Sequence, residues 1–154
     1  MSTLLPAVVA AVSALLGVAL TTLLQQRAAR QDRAEARAHQ RQDSALAAVA
    51  DLAAALDAHR LAMWVREEAR LSGADPDRIA GTRAASHETR QAISVPHTRL
   101  LVLAPDLDHA ATQAITATYA LRGAADLPTL ARRRAAALDA HRTLTTQARA
   151  VLAR

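Results

Sequence analysis

Hydrophobic positions near the start of the chain form one long unbroken run. From Leu4 to Leu24 no residue is charged, and the first arginine follows at position 27. A helix of this length spans roughly 31 Å, which matches the hydrocarbon core of a bilayer. Residues 1–3 lack the Lys or Arg that opens a cleaved signal peptide. The pattern therefore predicts a transmembrane anchor over residues 1–26, with a buried soluble helix as the alternative.

An arginine-rich segment, residues 27–43, follows the anchor directly. On a helix its arginines occupy an arc of about 120°, and Asp32 and Glu35 lie on the opposite side. Positive residues beside a span stay in the cytoplasm, so we expect the amino terminus outside and the rest inside. Such a stripe attracts anionic lipid headgroups; a solvated helix that only sets topology and, less favoured, nucleic acid contact are the alternatives. The predicted membrane-surface residues are Arg27, Arg30, Arg33, Arg37 and Arg41.

Positions predicted to face the core then recur at steps of four and three from Ala45 to Met63, and all but His59 are apolar. This a/d pattern is the seam by which helices pair or bundle. This helix should end near Ser72, with Gly73 as its left-handed cap. Asp75, Pro76 and Asp77 carry the signals of a second helix start. We expect that helix to reach about Val95, where Pro96 breaks or kinks it.

Two further helices complete the predicted domain, residues 44–154. The apolar run 100–103 is predicted as a helical turn, because no second strand candidate exists. A third helix opens at Asp106 and Asp108 and ends before Gly123. A fourth, capped by Asp126, continues to the carboxyl terminus. The predicted fold is all-α: a single transmembrane helix continuing into a cytoplasmic antiparallel helical bundle with coiled-coil character.

The bundle is expected to self-associate. Alanine offers little apolar area, and one Trp, one Tyr and no Phe are present, so a monomeric core would be marginal. Within the anchor, small residues at every fourth position permit close helix contact. The predicted oligomerisation residues are Ser13, Gly17, Thr21, Val49, Leu52, Leu56 and Met63.

Composition narrows the chemistry. The chain has no Cys and four Gly, which argues against disulfides, Cys-ligated zinc and a glycine-rich phosphate loop. No Ser-His-Asp triad or paired-carboxylate site emerges, so we expect no enzyme and no cofactor. The net charge is +5, and all 19 basic residues are Arg.

Two clusters remain as candidate sites. His59, His87 and His141 are placed at or near core-facing positions, where they are weak candidates for a divalent metal; hydrogen bonding to a neighbour is the more ordinary role. Arg60 and Trp64, four residues apart, predict a cation–π contact. This pair is a candidate partner-binding spot, although a structural Trp anchor is favoured over it.

Several segments together resemble the KilB proteins of actinobacteria. Beside the anchor and the Arg-rich segment they are HRLAMWVREEAR at 59–70, RAASHETRQAI at 83–93 and APDLDHAATQAITATYALRG at 104–123. The resemblance implies a small membrane-associated protein of streptomycete conjugative plasmids, linked to plasmid spread within the recipient mycelium. It carries no catalytic motif, so no site residue transfers from it.

The prediction for function is a non-enzymatic, membrane-anchored helical scaffold. Its expected partners are further copies of itself and anionic lipid, with other plasmid-transfer membrane proteins as additional candidates. A membrane-linked helical regulator or phage-type accessory protein unrelated to conjugation is the first alternative. A His-based metalloprotein is the second.

Overall fold

The computed structural model describes the backbone of residues 4–152 and the side chains of residues 30–152, and every element within this range is helical. The helices are α1 (Leu4–Leu71), α2 (Pro76–Gln91), α3 (Ser94–Leu103), α4 (Asp108–Tyr119) and α5 (Leu127–Leu152), with a 3₁₀ turn at Pro105–Leu107 before α4. The predicted all-α class is therefore confirmed.

The chain divides into two compact units, Met1–Arg41 and Gln42–Arg154. In the first unit the described side chains from Arg30 onward are all exposed, including Arg33, Arg37 and Arg41. Within the residues whose side chains are described, no helix is long and apolar enough to cross a membrane. The predicted anchor, its small-residue positions 13, 17 and 21, and Arg27 lie outside those residues.

Helix α1 ends where the sequence predicts. The Gly73 N–H donates to the carbonyl of Arg70 at 3.3 Å, and the Ala74 N–H donates to that of Ala69 at 3.0 Å. This pair of bonds is the Schellman motif, which requires a left-handed residue at its centre. Gly73 supplies that residue with φ +66°. The next helix begins at once, because Asp75 Oδ1 accepts a 2.9 Å bond from the Arg78 N–H and Pro76 fills the first helical position.

The break after α2 lies earlier than predicted. We expected Pro96 to end the helix at Val95, but α2 stops at Gln91 and α3 starts at Ser94. The reason is that a proline ring cannot bond the carbonyl four residues before it and clashes with it. For Pro96 that carbonyl belongs to Ala92, so the interruption falls there and Pro96 lies in the first turn of α3.

The end of α4 also differs from its prediction. The regular helix stops at Tyr119 rather than at Arg122, and the last residues tighten into bonds between residues three apart, such as Arg122 N–H to the Tyr119 carbonyl at 3.2 Å. Gly123 then turns the chain with φ +69°. Helix α5 starts as predicted, with the Thr129 N–H donating to Asp126 Oδ1 at 2.7 Å.

The core of the second unit has two apolar clusters. The larger one contains the a/d seam of α1 as far as Leu56 together with Ile93, Leu100, Leu107 and Leu144. The smaller one contains Met63, Leu121, Ala124, Leu130 and Ala137 and is flanked by Trp64. All six predicted seam positions of α1, from Ala45 to Met63, are buried, which confirms the heptad pattern.

Side-chain contacts give the direction of the helices around α1. Against α5, Gln42 contacts the Leu152 carbonyl, Asp57 contacts His141 and Trp64 contacts Arg134. Against α2, His59 contacts Thr89 and Arg66 contacts Ser86. In both series the residue number falls on one helix as it rises on the other, so α2 and α5 each run antiparallel to α1.

Candidate functional site

A basic pocket lies where α1, α2 and the end of α4 meet. Its floor is formed by the buried His59, Met63 and Ser86 and the largely covered Arg66, whose side chain is 15% exposed. Its rim is formed by Tyr119 and by three exposed side chains. The volume of the cavity is about 30 Å³. The residues that complete the lining are His87, Arg90 and Arg122.

Arg66 is held in place by a neutral partner. Its Nη1 donates to Ser86 Oγ at 3.0 Å, and the Ser86 hydroxyl in turn donates to the carbonyl of Arg83 at 2.8 Å. The nearest carboxylate oxygen, Glu67 Oε1, is 3.9 Å from Arg66 Nε. Burial lowers the pKa of Arg66; the Glu67 carboxylate acts in the opposite direction, and neighbouring guanidiniums add to the lowering.

Glu67 itself is fixed by other groups. It is 1% exposed, and its Oε2 accepts bonds from Arg70 Nε at 2.8 Å and from the Gly123 N–H at 3.1 Å. Arg70 also donates to the Ala124 carbonyl. This carboxylate therefore ties α1 to the loop between α4 and α5. The sequence alone does not reveal this role, because the spacing of Glu67 from Arg70 is also that of an ordinary exposed helix pair.

The remaining arginines of the pocket lack an acidic partner. Arg90 stacks its guanidinium 4.5 Å from the centre of the Tyr119 ring. Among the described residues, no ion pair involves Arg90 or Arg122, and no Asp or Glu lines the cavity. The pocket thus concentrates positive charge that the one nearby carboxylate, Glu67, neutralises only in part.

His59 is neutral in this basic environment. Its Nδ1 lies 2.9 Å from Thr89 Oγ1, and the Thr89 hydroxyl gives its proton to the Ala85 carbonyl at 3.0 Å. The Thr89 oxygen therefore accepts from His59 Nδ1–H. The ring also packs edge-on against Tyr119 at 5.4 Å. Burial, then the charges of Arg90 and Arg66, lower the pKa of His59 to about 4.

We expect the stability of the helical unit to fall in mild acid because of His59. The unfolded chain binds a proton at a pKa near 6.5 and the folded chain only near 4, so stability is complete above about pH 6.5 and is lost as the pH falls toward 4. The full effect is about 3 kcal/mol. Urea unfolding followed by circular dichroism should show this slope, and His59→Gln should reduce it. A His87→Gln control, at an exposed position, should keep the wild-type slope; equal slopes in all three proteins would contradict the assignment.

The predicted metal candidates are not brought together. His59 is buried on α1, His141 lies 3.1 Å from Asp57 through its Nδ1, and His87 is exposed on α2. His87, predicted at or near a core-facing position, is exposed, because the preceding Ser86 takes the buried position. Within the described part of the chain, no group of three or more His, Asp or Glu side chains is arranged to hold a metal.

Trp64 makes its cation–π contact with a residue other than the predicted Arg60. Arg60 pairs with Asp57 at 2.7 Å, and the guanidinium of Arg134 on α5 lies 5.2 Å from the centre of the Trp64 ring. The Trp therefore joins α1 to α5. Nothing in the sequence pairs residues 64 and 134, although the run 132–134 marked α5 as rich in arginine.

The repeated sequence AAALDAHR, at 53–60 and 135–142, gives two similar local structures. In both copies the Arg pairs with the Asp three residues earlier, as Arg60–Asp57 and Arg142–Asp139. The two copies lie on antiparallel helices and meet through the Asp57–His141 contact at 3.1 Å. The burial differs, however, since His59 is 2% exposed whereas the His141 side chain is 18% exposed.

The predicted oligomerisation seam is occupied within the chain. Val49, Leu52, Leu56 and Met63 are at most 8% exposed and pack in its own core. A separate apolar groove of about 700 Å³ remains between α1 and α3. Val95 and Val102, each 76% exposed, form its apolar wall, and Arg99 on α3 lies 3.3 Å from Asp51 on α1.

Comparison with known proteins assigns the helical region to a family. Residues 46–152 match the family described as the KilB plasmid transfer protein. Over 118 residues the chain is 48% identical to protein KilB of Streptomyces lividans, which covers 77% of this chain and 78% of the relative. No solved structure matches.

Proposed function

The chain belongs to the KilB plasmid transfer family, and we propose that it serves in plasmid spread as a non-enzymatic, membrane-anchored scaffold. Residues 1–26 are the anchor, the amino terminus is outside, and the helical bundle is cytoplasmic. The observation that carries the proposal is the uncharged run from Leu4 to Leu24 directly before the family-matched region. Arginines at 27–41 then favour the cytoplasmic side for the bundle.

We further propose that two anchored copies associate through the groove between α1 and α3. The a/d seam of α1 is buried in the core of its own chain. Val95 and Val102, in contrast, lie seven residues apart on an exposed face of α3. The one charged residue that lines the groove in the described part of the chain is Arg99, and it already pairs with Asp51 of the same chain at 3.3 Å. Pairing within the chain leaves an exposed apolar face that a second copy can cover with the same face across a twofold axis. The anchor would raise the local concentration of partners.

We expect anchored dimers to form in cells and to depend on this groove. The chain has no Cys, so Ser2→Cys should react with a membrane-impermeant maleimide in intact cells, and Ala135→Cys only after permeabilisation. In the membrane fraction, Val102→Cys should crosslink to itself through a short bismaleimide. Adding Val95→Glu should abolish that product and reduce plasmid spread.

A matched control separates the groove from general surface effects. Val65→Glu with Leu127→Glu changes two other exposed apolar residues and should leave crosslinking through Val102→Cys intact. Recovery of the full-length chain in the soluble fraction would refute the anchor. Equal crosslinking with and without Val95→Glu would refute the groove.

A further inference from the structure

We propose that the basic pocket between α1, α2 and α4 is a binding site for a terminal phosphoryl group, a function beyond the scaffold role. The pocket gathers Arg66, Arg90 and Arg122 around one small cavity that contains no carboxylate in its lining. Guanidinium groups bind phosphate oxygens through paired N–H donors. The arrangement therefore fits an anion better than any cation or apolar ligand.

The arginines of the pocket have N–H donors that no other described group uses. A guanidinium has five N–H donors, and among the described residues Arg66 uses one, toward Ser86 Oγ. Arg90 directs its guanidinium face at Tyr119, which leaves its N–H edge available. Arg122 makes no side-chain hydrogen bond to another described residue, although its backbone carbonyl accepts one from Arg133.

Compensation of the positive charge is incomplete, because the single Glu67 carboxylate lies beside both Arg66 and Arg70. Glu67 is the carboxylate closest to Arg66, and its Oε2 is committed to Arg70 and to the Gly123 N–H. Burying a guanidinium beside other guanidiniums opposes folding unless an anion balances it. A bound anion would supply that balance, so we expect it to stabilise the folded chain as well as to bind.

The size of the cavity also fits a phosphoryl group. The cavity of about 30 Å³ holds on the order of two water molecules, which is close to the space of one phosphoryl group. A terminal phosphate offers three oxygens to three arginines. A phosphodiester within a nucleic acid offers two oxygens and needs room for chain on both sides, which a floor made of His59 and Met63 does not provide.

The test is binding of inorganic phosphate to the full-length chain in nonionic detergent at constant ionic strength, measured by calorimetry and by thermal unfolding. We expect saturable binding at one site and a rise in Tm. The double variant Arg90→Gln with Arg122→Gln should raise the Kd for phosphate at least about tenfold, since a charge-assisted hydrogen bond contributes about 1.5–3 kcal/mol. Arg132→Gln with Arg149→Gln removes the same net charge at exposed positions on α5 and should leave Kd unchanged.

Three outcomes would overturn the proposal: no saturable binding to the wild-type chain, equal loss in both double variants, or displacement of phosphate by stoichiometric duplex DNA. A second arm identifies the source of the phosphoryl group. Competition by nanodiscs containing phosphatidic acid, but not by phosphatidylcholine nanodiscs, would assign a lipid headgroup. Competition by glycerol 3-phosphate alone would assign a soluble phosphomonoester. Failure of any arm leaves the anchor and groove experiments unaffected.

Discussion

Leu52→Asp should unfold the helical bundle rather than dissociate an assembly of folded copies. Leu52 is 0% exposed and packs in the larger core cluster. Truncating such a leucine to alanine already costs about 3–5 kcal/mol, and an unpaired buried carboxylate adds several kcal/mol to that. The total is comparable to the whole stability of a typical domain. Circular dichroism and limited proteolysis of the full-length protein in detergent should both report loss of the fold.

Leu61→Asp is the matched control for this prediction. Leu61 lies on the same helix and is 64% exposed, so its substitution should leave the helical signal and protease resistance close to wild type. If Leu52→Asp stays folded and merely changes its mass in solution, the seam serves an interface between copies. That result would restore the oligomerisation role that the sequence predicts for Leu52, Leu56 and their neighbours.

Glu67→Ala should lower the free energy of unfolding by about 3 kcal/mol. The substitution leaves the Gly123 N–H without its acceptor and removes the charge-assisted bond from Arg70, and losses of this kind cost about 1–3 kcal/mol each. The Arg70 side chain is 45% exposed, so water recovers part of its loss. Chemical unfolding monitored by circular dichroism measures the difference directly.

The neighbouring Glu68 offers a control of identical chemistry. It is exposed, and Glu68→Ala should change stability by no more than about 0.5 kcal/mol. Glu67→Gln keeps one carbonyl acceptor and should fall between the two alanine variants. Equal stability of Glu67→Ala and Glu68→Ala would show that the bond between α1 and the α4–α5 loop contributes little.

Local signals in the sequence were sufficient to predict most helix ends. Gly73, Asp75 with Pro76, and Asp126 each act through bonds to residues at most a few positions away, so spacing alone reveals them. The α2–α3 break lies before the predicted position, because the ring of Pro96 obstructs the carbonyl of Ala92, four residues earlier. The all-α class and the buried stripe of α1 followed from periodicity.

Contacts between helices cannot be predicted from such local signals, because the residues that meet are far apart in the sequence. The partner of Trp64 is Arg134, 70 positions along the chain, and the partners of Glu67 include a backbone N–H in a distant loop. The basic pocket is similar, since Arg66, Arg90 and Arg122 come from three separate segments. The available sequence signal for the pocket is that Arg83 and Arg90 flank Ser86 at helical spacing, which makes that face of α2 unusually polar.

The antiparallel contact of α1 with α5 sets an order of events during synthesis. Translation produces the seam of α1 early, but its cover includes Leu144 and Ala148, near the end of the described chain. The cover of the nascent seam therefore stays incomplete until the ribosome has added α5, because contacts far apart in sequence form late. That interval is when chaperones or proteases would meet the chain.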